Sequence, residues 1–103
     1  MSGRVTFRYS PAALRDLKAY KKAHDSASIT RIGEIQREIE AMWPESEGRF
    51  MPERLKGDLS GHFSRRVNQR DRYVYSIDEE DRSVYVNQCK GHYSDRKRWP
   101  EPP

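Results

Sequence analysis

Val5, Phe7 and Tyr9 alternate with Arg4, Thr6 and Arg8. That period of two predicts a half-buried strand. Ser10-Pro11 then supplies a helix N-cap and a first-turn proline. Leu14, Leu17 and Tyr20 fall on one face of a helix reaching to about Ala23. HDSAS reads as a turn. Ile29, Ile32, Ile35, Ile39 and Met42 step by three or four residues and predict a second helix. Gly33 weakens it slightly, and Pro44 ends it, because the residue before a proline avoids helical geometry. WPESEGRFMPE reads as a loop. Strands are predicted at about 63–68, 72–78 and 83–89, with the turns NQRD and DEEDR making an antiparallel meander. The expected fold class is α+β: a small twisted antiparallel sheet with two N-terminal helices packed on one face.

Four arginines, Arg65, Arg66, Arg70 and Arg72, crowd this meander. Alternation separates them by face. Phe63 and Val67 share one side of their strand, and Ser64, Arg66 and Asn68 the other. Tyr73, Tyr75 and Ile77 form an apolar side toward the helices; Arg72, Val74 and Ser76 face away. Arg66 and Arg72 are therefore expected on an open face, a shallow basic trough. Arg65 falls on the apolar side and is expected to escape at an edge or through a bulge. Arg70 belongs to the turn.

Composition narrows the classes. The chain has 103 residues, 34% of them hydrophobic and 35% charged, with a net charge of +4, so one domain with a modest core and an anionic partner are expected. Cys89 is the only cysteine, which excludes an internal disulfide and fits a reducing compartment. MSGRVTFRYS lacks the apolar run of a signal peptide, and no stretch is long enough to span a membrane. A soluble cytoplasmic protein is expected. Residues 1–93 are read as one domain and residues 94–103 as a polar, flexible tail.

Seven Lys/Arg lie between Arg49 and Arg72 against Glu53, Asp58 and Asp71. Guanidinium forks match phosphate oxygens, so the basic face reads either as a phosphate platform or as a solvated sheet surface. Glu53 is either a general base within such a platform or half of an ordinary surface ion pair. His92-Tyr93 joins a group that titrates near neutrality to a ring that can stack on a base; the plain alternative is a pair capping the sheet edge. The histidines His24, His62 and His92 have no metal-ligand spacing, and neither a nucleophile elbow nor a phosphate-cradling glycine loop is present.

PERLKGDLSGHFSRRVNQRDRYVYSI followed by CKGHY resembles the YoeB/Txe family of bacterial toxin–antitoxin toxins, in the RelE-like superfamily. The matching pieces are Pro52–Lys56, Leu59–Gly61, Phe63–Arg66, Arg72–Tyr75 and His92-Tyr93. Together they are specific; singly each is weak. The resemblance implies a ribosome-dependent, metal-independent endoribonuclease without a cofactor that cuts mRNA in the ribosomal A site. It implies Glu53 as general base, His92 as general acid, Arg72 at the reacting phosphate and Tyr93 orienting the substrate. Lys56, Arg65 and Arg66 are expected as supporting phosphate and RNA contacts. It further implies a cognate YefM-like antitoxin and operator DNA bound only through that complex; homodimers are frequent in that family, though nothing in this sequence fixes such an interface. Two other readings share the fold: a non-catalytic inhibitor of DNA gyrase, and a plain RNA-binding module.

Overall fold

The computed structural model describes residues 4–45 and 47–91. Strand β1 (Thr6–Tyr9) leads into helices α1 (Pro11–Lys22) and α2 (Ser26–Ala41). Then come the short strand β2 (Glu53–Arg54), one 3₁₀ turn at Gly57–Leu59, and strands β3 (His62–Arg66), β4 (Arg72–Asp78) and β5 (Ser83–Gln88). Side-chain caps start both helices. Ser10 Oγ accepts the Ala13 N–H at 3.0 Å, and Asp25 Oδ1 accepts the Ser28 N–H at 3.1 Å. Caps of this kind contribute about 1 kcal/mol each.

The five strands form one sheet in the order β1-β5-β4-β3-β2. All neighbours are antiparallel except β1 and β5, which run parallel with Phe7 opposite Val84. The sheet is thus mixed, not purely antiparallel as expected. Alternation assigns the faces of a strand but carries nothing about which neighbour it pairs with. β2 has only two residues, too short for a period, and begins on the last residue of the predicted loop.

The main core lies between helices and sheet. Ile32, Ile35 and Ile39 of α2 meet Tyr73, Tyr75, Val84 and Val86 there. Burying such a side chain stabilises by about 1.5–3 kcal/mol. Cys89 is a buried member of the same core. Leu14, Ile29 and Met42, expected on the inward stripes, instead remain 49%, 36% and 37% exposed. A second, smaller cluster of Leu55, Leu59 and Val74 lies apart from it.

Candidate active site

Ladder pairing places Glu53 opposite Ser64, Ser64 opposite Val74, and Arg66 opposite Arg72. Paired residues share a face. All five therefore belong to the side away from the helices, as the alternation of Arg66 and Arg72 predicts. That side is not an open trough, however. Val74 is fully buried beneath Leu55 and Leu59, because the segment after β2 folds back across the strands. Gly61, at φ +92°, makes the turn that returns this segment to β3, a conformation that side-chain-bearing residues seldom adopt.

Arg72 is enclosed as a result, with 9% of its side chain exposed. Its Nη2 donates to Ser64 Oγ at 2.7 Å and to the Met51 carbonyl at 3.0 Å, and lies 3.5 Å from Glu53 Oε1. The Glu53 side chain is half exposed. Glu53 and the exposed Lys56 line one depression of about 360 Å³ with Arg54, Leu55 and Leu59. Arg66 sits across the ladder from Arg72, and its buried Nε has no hydrogen-bond partner among the described residues. Two guanidiniums placed opposite each other repel unless an anion lies between or beside them. Glu53 supplies one negative charge to this pair of cations.

Arg65 departs from expectation. β3 and β4 pair without a break from His62 to Arg66, so no bulge releases it, and it is fully buried. Its Nη1 donates to Glu38 Oε1 at 2.6 Å and to the Arg49 carbonyl at 3.1 Å; Nη2 donates to the Glu47 carbonyl at 2.8 Å. Nε lies 3.3 Å from the Tyr75 hydroxyl. The reason is Glu38 on α2, a carboxylate that compensates the buried charge. Burial works to raise the Glu38 pKa, but hydrogen bonds from the Arg49 side chain and backbone and from Arg65 hold it below the ordinary 4.5. In this position Arg65 offers no exposed surface to a phosphate. Arg70 lies exposed in the turn, as expected.

The loop before Glu53 is strained. Phe50 (φ 68°) and Met51 (φ 53°) are consecutive left-handed residues, each costing about 1–2 kcal/mol. The Phe50 carbonyl accepts the Arg66 N–H at 2.7 Å, and the Arg31 and Arg49 guanidiniums lie over the Phe50 ring at 4.2 and 4.6 Å. A hollow of about 410 Å³ beside it, lined by Glu34, Arg37, Glu38, Ala41, Met42 and Arg49, contains none of the nominated residues.

His92 and Tyr93 lie outside the described residues. The backbone leading to them is held firmly. Asp16 Oδ2 accepts the N–H groups of Cys89 and Lys90 at 3.0 and 3.2 Å. Asp71 Oδ1 accepts the Gly91 N–H at 2.9 Å, and the Tyr20 hydroxyl lies within 2.8 Å of both Asp71 Oδ2 and the Cys89 carbonyl. Burial would raise the Asp71 pKa. Hydrogen bonds from Gly91, Asn68 and Tyr20, and the charge of Lys90, hold it below the ordinary 3.8 instead. A carboxyl with a depressed folded-state pKa stabilises the fold above its unfolded value, and that contribution disappears as pH falls through the folded value. Urea unfolding between about pH 5 and pH 2 is thus expected to show wild-type stability declining more steeply than that of Asp71→Asn. Equal slopes would remove Asp71 from the acid response.

Residues 9–93 match the family model described as YoeB-like toxin of bacterial type II toxin–antitoxin system. The chain belongs to this family. Toxin YoeB from Escherichia coli O6:H1 is 32% identical over 74 residues, 72% of this chain and 83% of that protein. Toxin YoeB from Synechocystis is 45% identical over 47 residues, 46% of this chain, which spans about half (52%) of that relative's length. Among solved structures, a heterotetrameric YoeB–YefM toxin–antitoxin complex from Staphylococcus aureus superposes with a TM-score of 0.75 at 34% identity, covering 88% of this chain and 100% of the matched chain. The mixed five-stranded sheet with two helices is thus the fold of a YoeB-like toxin. Among the described residues no group of three or more His, Cys, Asp or Glu is placed to hold a metal ion, and no helix is long and apolar enough to cross a membrane.

Sequence reasoning overlooked Ser64, Glu38, Asp16, Tyr20 and the Met51 carbonyl. Each acts through a partner distant in sequence or through backbone geometry, and no local pattern marks either.

Proposed function

We infer that this YoeB-like toxin cleaves mRNA in the ribosomal A site, using the 2′-hydroxyl of the RNA as nucleophile. Glu53 takes the 2′-hydroxyl proton as that oxygen attacks the adjacent phosphorus. The bond from phosphorus to the 5′-oxygen breaks, and His92 protonates the departing oxygen. The products are a 2′,3′-cyclic phosphate and a 5′-hydroxyl end. Negative charge grows on the phosphoryl oxygens during attack, where preorganised cations contribute most. Arg72 and Arg66 serve that role, Lys56 supports it from the shared depression, and Tyr93 orients the substrate. Metal ions take no part in this scheme, because the RNA supplies the nucleophile and side chains handle both protons.

The observation that carries the reading is the half-exposed Glu53 carboxylate 3.5 Å from the Nη2 of an enclosed Arg72, with a second guanidinium across the ladder. The purified full chain, added to translating ribosomes, is expected to cut mRNA within codons and to leave DNA of the same sequence intact. Intact mRNA together with inhibited gyrase supercoiling would replace this reading with the gyrase-directed one. Intact mRNA that is tightly bound would favour a binding module.

The partner follows the same reasoning. The Staphylococcus aureus relative was solved with YefM. A net charge of +4 suits an antitoxin with an acidic segment that neutralises this toxin, and operator DNA would be contacted through their complex. A second copy of the toxin and the cytoplasm, where ribosomes are found, complete the reading.

A further inference from the structure

We propose that the segment Glu47–Met51 is a strap whose clamping by Arg65 and Glu38 aims Glu53, making Arg65 and Glu38 positioning residues for cleavage. This rests on the reading of Glu53 as the base. The carbonyls of Glu47, Arg49, Phe50 and Met51 accept hydrogen bonds from Arg65, Arg65, the Arg66 N–H and Arg72 in turn. Glu38 holds the strap from the helix side, through the Arg49 N–H at 2.6 Å and Arg49 Nε at 2.9 Å. Two consecutive left-handed side-chain-bearing residues persist only where the surroundings over-determine them, and such strain concentrates at functional sites. Glu53 follows two residues later. A loop fastened at four of its carbonyls fixes the direction in which the chain enters β2, and hence where the carboxylate meets Arg72.

Gly48 provides the cleanest perturbation. It sits at φ +122°, and a Cβ there would overlap the Glu38 carboxylate. That carboxylate cannot swing aside without releasing Arg49 and Arg65. Gly48→Ala thus displaces the strap while removing no charge, no donor and no core side chain. Near-angstrom misplacement of a reacting group typically costs about 10²-fold in rate. Gly48→Ala is expected to lower single-turnover cleavage on ribosomes about 10²-fold with KM unchanged. In a Glu53→Gln background the same substitution is expected to cost almost nothing further, because the group being aimed is already disabled. Glu38→Gln, which keeps the shape but loses the ion pairs, should show the same dependence on background and serves if Gly48→Ala does not fold. A full rate in Gly48→Ala beside a crippled Glu53→Gln overturns the inference alone. So does an equal loss in both backgrounds, which marks a merely structural effect. A wild-type rate in Glu53→Gln overturns the catalytic reading and this inference with it.

Discussion

Replacing Glu53 with Gln is expected to slow RNA cleavage on the ribosome about 10²–10⁴-fold, the usual contribution of one positioned proton transfer. The fold should be untouched. The Glu53 side chain is half exposed, and its pair with Arg72 at 3.5 Å is loose, so the ion pair contributes little to stability. Glutamine retains a carbonyl oxygen that can face Arg72 and nearly the same volume. What it loses is the ability to accept a proton from the 2′-hydroxyl. The substitution thus separates basicity from shape. Single-turnover cleavage, with thermal melting as a control for folding, measures the effect. A wild-type rate would move the proton elsewhere, and Lys56, which shares the depression with Glu53, is the first group to examine.

The parts of this molecule that a sequence can reveal are those governed by period. Tyr73, Tyr75 and Ile77 alternate toward the helices, and all three pack in or against the main core. Ser10-Pro11 begins α1 as the capping chemistry requires. Period says nothing about extent, however. Leu14, Ile29 and Met42 keep the helical stripe, yet all three remain exposed. It says nothing about partners either, and the parallel contact between β1 and β5 leaves no mark in either strand's pattern. The site divides in the same way. Arg66 and Arg72 were placed on the correct face by alternation alone. Glu53 and Lys56 gained meaning only from the family resemblance, because a carboxylate among arginines otherwise reads as a surface pair. The burial of Arg65 escapes alternation because its compensating charge, Glu38, comes from a different element 27 residues away. No spacing rule links a strand position to a helix position at that distance.

Arg65→Ala is expected to be among the most destabilising single substitutions in the chain, costing about 3–5 kcal/mol. Three losses add up at this position. Glu38, only 12% exposed, is left with the exposed Arg49 as its remaining guanidinium partner. The carbonyls of Glu47 and Arg49 lose their donor. A fully buried side chain is replaced by a void beside Tyr75. For a domain of this size each kcal/mol moves the melting temperature by about 4–8 °C, so a fall of more than about 10 °C is expected. Arg65→Met fills most of the void and should recover part of the loss, since an apolar replacement avoids burying a charge. A double-mutant cycle with Glu38→Gln is expected to return a coupling of at least about 1 kcal/mol, as for residues sharing one hydrogen-bond network. The opposite result is equally definite. If Arg65→Ala melts like wild type but binds ribosome-held RNA weakly, with KM raised at constant kcat, Arg65 contacts the substrate phosphate directly.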